Sequence, residues 1–179
     1  YLSENTLGWE SLYKLFPKYE MGDQALGFLA KRHFKSALEH FEKALQANEM
    51  GWESWWGLGK LDRIKGQLAG GFEKLEKAAA LEGDAEELYS DLASYALELG
   101  ESTKADHYAR IVVEQSPQDP DLLSLYAVAL VMNKQTKRAL GVATNACKFG
   151  PNNGRTWEIL EFIKRIDKGE EAIPDSIRL

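Results

Sequence analysis

The chain has 179 residues, 44% hydrophobic and 28% charged, with a formal net charge of −6 and one cysteine. That length and composition fit one soluble domain able to bury a sizeable core. The acidic balance argues against a nucleic-acid backbone as the main partner, because such binding needs clustered Lys and Arg. No apolar run approaches the ~20 residues needed to span a bilayer. A lone Cys147 forms no internal disulfide, which suits a cytoplasmic, reducing compartment and leaves a periplasmic one open. The chain starts at Tyr1, not Met, so a processed or partial chain is expected.

Residues 1–17 read as a lead-in helix. Leu7, Leu12, Leu15 and Phe16 recur at mixed helical spacing, Ser3 is the predicted N-cap, and Pro17 breaks the run. From residue 18 the amphipathic segments come in pairs. The first pair is expected near 18–31 and 34–48, with Ala37, Leu38, Phe41, Ala44 and Leu45 on one stripe of its second helix. The second is expected near 52–65 and 68–81, joined at Gly66-Gln67. In the third, Asp84 is the predicted N-cap, Glu87 completes a capping box, and Gly100 ends the first helix. The fourth opens at Asp119-Pro120, an N-cap with proline in the first turn, and stops at Gly150-Pro151. A closing helix over 154–168 turns Trp157, Leu160 and Ile163 toward the core, and residues 169–179 form a tail without helical signals.

These pairs keep a period of 34 residues. Gly59 steps onto Ala25, Ala93 and Ala127; Gly71 onto Ala37, Ala105 and Ala139; Ala78 onto Ala44, Val112 and Ala146. Bulky positions keep the same step, Trp55 with Met21, Tyr89, Leu123 and Trp157. Small residues recurring at helix contact points with a fixed period signal a helical repeat array. With Trp55, Leu58, Gly59, Gly71, Leu75 and Ala78 in one unit, and Pro117 and Pro151 closing two others, the chain resembles the tetratricopeptide-repeat (TPR) family over residues 18–166. Asp62 and Lys164 depart from it where the family has Tyr, as do Glu49 and Gly83 where it has Pro. The resemblance implies an all-α right-handed superhelix of helix–turn–helix units at 18–51, 52–85, 86–119 and 120–153. A polar-faced closing helix shields the last unit, as terminal repeats must.

No constellation in the sequence carries catalysis, so a non-enzyme without cofactor or metal is expected. His33, His40 and His107 lack the i, i+4 spacing of a helical metal pair. Cys147 follows Ala146 on a packed helix without an activating neighbour and reads as a buried, inert thiol. Gly57-Leu58-Gly59 lacks the third glycine and the strand of a dinucleotide site. Adjacent carboxylates such as Glu86-Glu87 diverge on a helix and read as solvated.

The TPR resemblance implies a concave groove lined by the first helix of each unit. Its implied contacts are Leu29, Trp56, Lys60, Arg63, Leu97, Val128, Val131, Phe162 and Arg165, with Ser90, Ser94, Asp121, Ser124 and Arg155 in the same register. The carboxylate clamp of chaperone-binding members is not expected, because Trp56 and Asp91 stand where that clamp has Lys and Asn. Trp56 and Trp55 point about 100° apart on a helix, so Trp55 is expected in the core and Trp56 in recognition. The bland alternative is that 1–17 and 169–179 cover the groove's apolar residues. The expected function is a scaffold or adaptor holding a protein or peptide segment that is apolar with acidic character. The alternative is a small acidic secretion-type chaperone.

Overall fold

The computed structural model describes residues 2–15 and 28–178, with Phe28 and Leu29 described by backbone alone. Among the described residues there are nine helices and no strand: α1 (Leu2–Tyr13), α2 (Phe28–Ala47), α3 (Trp52–Ile64), α4 (Leu68–Ala80), α5 (Glu86–Leu99), α6 (Ser102–Gln115), α7 (Pro120–Met132), α8 (Thr136–Phe149) and α9 (Gly154–Asp167). The fold is all-α. It divides into two compact units, Tyr1–Asp84 with α1–α4 and Ala85–Leu179 with α5–α9.

Small residues set the helix crossings of unit 1. A Cβ on Gly59 would stand 2.1 Å from Leu75 Cδ1 and 2.8 Å from the Gly71 carbonyl oxygen, so α3 and α4 meet backbone to backbone. A Cβ on Gly8 would likewise stand 2.7 Å from the ring of Phe41. Phe41 and Leu75 are one 34-residue step apart, so α1 meets α2 as α3 meets α4. The helix expected at 18–31 falls largely on residues outside the described ones, and the turn expected near His33 is absent. α2 runs unbroken from Phe28 to Ala47, because no Gly, Pro or Asn interrupts the chain between Gly27 and Asn48.

In unit 2, α7 packs against α5, α6, α8 and α9 and is buried from Leu122 to Met132, which makes it the central helix. Its start is as expected: Asp119 Oδ1 accepts from the N–H groups of Asp121 and Leu122, with Pro120 in the first turn. Two other expected caps differ. Ser3 lies inside the first turn of α1. Ala85 is the N-cap of α5, leaving Asp84 one residue outside the helix, and no side chain caps it.

The first helices end in one recurrent turn. Gly66, Gly100 and Lys134, spaced by 34 residues, have φ of +79°, +75° and +59°. In each, the following N–H reaches back to the carbonyl five residues before it (Gln67 to Asp62, Glu101 to Ala96, Gln135 to Leu130). This is the Schellman closure, whose left-handed residue is ordinarily glycine.

Candidate functional site

The two units present their first helices differently. In unit 1, Trp56 is buried (9% exposed), its ring centroid 4.6 Å from that of Trp9 on α1 and 6.2 Å from that of Trp52. Trp9 also stands edge-on to Phe41 at 5.6 Å. Polar ties complete the seal: Ser54 Oγ donates to Asn5 Oδ1 at 3.0 Å, and His40 Nδ1–H to Glu4 Oε2 at 2.6 Å. The Glu4 carboxyl is held below the usual carboxylate range, chiefly by that His40 hydrogen bond. Lys60 and Arg63 remain half-buried on α3, the Lys60 ammonium 5.4 Å from the Trp56 ring centroid.

The expected burial of the two tryptophans is therefore reversed. Trp56 is core, because α1 covers it. Trp55 is half-buried at the edge of the fold, where its indole N–H donates to the Glu49 carbonyl at 2.9 Å and the Lys77 ammonium lies 3.6 Å from its ring centroid. Trp157 repeats the arrangement in unit 2. It is 46% exposed, not turned to the core, and its N–H donates to the Pro151 carbonyl at 3.0 Å. In these two units a tryptophan at the bulky fourth position latches onto the turn before its helix. Leu29 falls in the first turn of α2, not on a first helix, since that helix starts earlier than the sequence implies.

In unit 2, α7 lies between α5 and α9, and their N-terminal halves enclose a cleft of about 210 Å³. Ser90 and Ser94 of α5, Asp121, Ser124 and Leu125 of α7, and Arg155 and Ile159 of α9 line it. Asp121 is fixed by Asn153, whose Nδ2 donates to Asp121 Oδ1 at 2.8 Å. The cleft thus presents hydroxyls, one carboxylate and one guanidinium over an apolar floor. Leu97, Val128 and Val131, expected in the groove, are wholly buried (0% exposed) and belong to the core. Phe162 is half-buried and Arg165 exposed, the latter donating from Nε to Glu171 Oε2 at 2.8 Å. The register, read at its polar positions, points to the cleft; weighting the apolar positions led away from it. Among the described residues no cluster of His, Cys, Asp and Glu could hold a metal, and no helix is long and apolar enough to cross a membrane.

The tetratricopeptide repeat family model matches residues 23–86 and 90–154. The chain belongs to the TPR family. Solved structures agree on the fold. YrrB, described as a TPR protein with an unusual peptide-binding site, superimposes with a TM-score of 0.71 at 17% identity, covering 79% of this chain and 73% of that one. A MamA structure gives 0.71 at 17% identity, covering 94% and 85%. A MamA RS-1 double mutant gives 0.72 at 14%, covering 93% and 86%. No curated protein matches the chain in sequence. TPR proteins are in general non-enzymatic modules that bind protein or peptide partners.

Proposed function

We propose that this TPR protein is an interaction scaffold that holds a partner segment on the face formed by α5, α7 and α9. The observation that carries the reading is the cleft of unit 2: Ser90, Ser94, Asp121, Ser124 and Arg155 converge there from three first helices, polar side chains lining one concavity. A carboxylate, a guanidinium and three hydroxyls over Leu125 and Ile159 suit a polypeptide, which offers N–H donors, carbonyl acceptors and apolar side chains together. The peptide-binding site ascribed to YrrB, on the same fold, supports the same direction. In unit 1, Lys60 and Arg63 are proposed to meet acidic side chains of a partner. The reading makes the protein a non-enzyme acting without cofactor.

A photo-crosslinking amino acid placed singly at Ser94 and at Thr144, on the exposed side of α8, tests this. The partner captured in cells is expected from the Ser94 position and not from Thr144. Capture from Thr144 alone would move the site off the first helices.

A further inference from the structure

The segment after α9 does not leave the fold. Gly169, at φ +74°, and Glu170 close α9 with N–H groups donated to the Ile166 and Arg165 carbonyls, and Glu171 then pairs with Arg165. The chain next runs extended to the far end of unit 2. There the Ile177 N–H donates to the Leu97 carbonyl at 3.0 Å, and Arg178 Nε lies 3.7 Å from Glu98 Oε1. Since α7 packs against both α5 and α9, a segment joining their C-terminal ends passes the end of α7.

We propose that residues 170–178 are a built-in occupant of the C-terminal edge of the α5–α7–α9 face, at the opposite end of these helices from the cleft, and that the partner exchanging with them is an extended segment bearing an aliphatic residue followed by a cation. The inference rests on the interaction reading above and names its partner chemistry and its regulation. Three features of the receiving end fix that chemistry. The Leu97 carbonyl accepts from the Gly100 N–H in the turn that ends α5 and keeps a second lone pair, which the Ile177 N–H takes up. Arg178 approaches the Glu98 carboxylate, whose side chain is only 12% exposed, and the negative end of the helix dipole favours a cation at this place. A Cβ on Gly100 would stand 2.6 Å from the Asp175 carbonyl oxygen, so the turn admits a close backbone and little else.

The hold on the segment is light. Ile173, Pro174 and Ile177 are only half-buried, and Arg178 is 67% exposed. What keeps it in place is the tether, because a covalently linked segment competes at an effective concentration in the millimolar range. A free partner therefore binds this edge weakly until the segment is displaced, and the length after α9 acts as a brake on the edge it occupies.

The test uses the full chain and a labelled peptide of sequence 170–178, EEAIPDSIR. Ile177→Asp/Arg178→Glu in the chain should free this edge and tighten peptide binding at least tenfold over the parent, measured by fluorescence anisotropy. The same double change in the peptide should abolish binding. Equal binding by parent and variant, or none by either, overturns the proposal. Should the variant lose helicity, amide exchange in the parent decides: excess peptide should accelerate exchange of the Ile177 amide, and unchanged protection overturns the idea. Failure here with Ser94 crosslinking intact removes only this occupant; capture from Thr144 alone removes the interaction reading itself.

Discussion

In unit 1 the face of α3 is closed by a helix that drives Trp9 against Trp56 and Phe41. In unit 2 the C-terminal ends of α5 and α9 are crossed by an extended segment with one backbone hydrogen bond to Leu97, an ion pair at each end and three half-buried apolar side chains. A fully buried aromatic side chain removes about 150–250 Å² from water, so even the partly buried Trp9, at about 25 cal/mol per Å², holds α1 to its unit more firmly than the extended segment is held. The extended segment buries far less and reads as exchangeable. One repeat architecture therefore yields a sealed unit and a closable one, and the difference lies in what each terminal segment brings to the same row of helix positions.

The sharpest way to break this comparison is to remove its aromatic centre. Trp56→Ala is expected to lower stability by about 3–5 kcal/mol, the range for deleting a large buried aromatic. Trp55→Ala should cost about 1 kcal/mol, roughly one lost hydrogen bond. Denaturant unfolding followed by circular dichroism checks both, and equal losses would return Trp55 to the core. A smaller effect separates the turns. Gly66 in unit 1 and Lys134 in unit 2 occupy equivalent left-handed positions, but only Lys134 carries a Cβ there. Lys134→Gly should stabilise by about 1 kcal/mol and Gly66→Ala destabilise by a similar amount. A Lys134→Gly variant that melts below the parent would show that the lysine side chain holds a contact outweighing its strain. Smaller again is the extended segment: Ile177→Asp/Arg178→Glu should change stability by no more than about 0.5 kcal/mol. A loss comparable with that of Trp56→Ala would make the segment structural.

The repeat itself was legible because period and small residues report backbone approach directly: Gly59 and Gly71 do meet, 34 residues on from Ala25 and Ala37. Caps were legible where the side chain does the capping, as at Asp119, and not at Ala85, where backbone alone turns the chain. Which tryptophan is buried was not legible. Trp55 and Trp56 have the same composition signal, and the choice depends on α1, whose docking is a tertiary event between residues 9 and 56. Nor does any local signal announce the Ile177–Leu97 hydrogen bond, which joins a stretch without periodicity to a helix end some 80 positions earlier. The polar residues that line the cleft share one register in the sequence. Apolar neighbours such as Leu97 and Val131 drew attention because a sequence does not tell a groove wall from the core behind it.

The smallest expected effect concerns pH and again contrasts the units. Glu4 accepts from His40, 36 residues away, and that bond places its carboxyl below the ordinary 4.5; Glu161 is also lowered, chiefly by the hydrogen bond from Lys164 within α9. A carboxyl lowered in the folded state favours folding above its unfolded pKa, and the advantage fades as pH falls through the lowered value. The two cases differ in their reference states. Lys164 stays three residues from Glu161 even in an unfolded chain, whereas His40 meets Glu4 only when α1 docks on α2, so the larger difference between folded and unfolded carboxyls belongs to Glu4. Glu4→Gln should therefore flatten the loss of stability between about pH 5 and 3, and Glu161→Gln should flatten it less. Stability measured by urea unfolding across that interval decides it: a greater flattening in Glu161→Gln would show that α1 docking draws little from the Glu4–His40 bond.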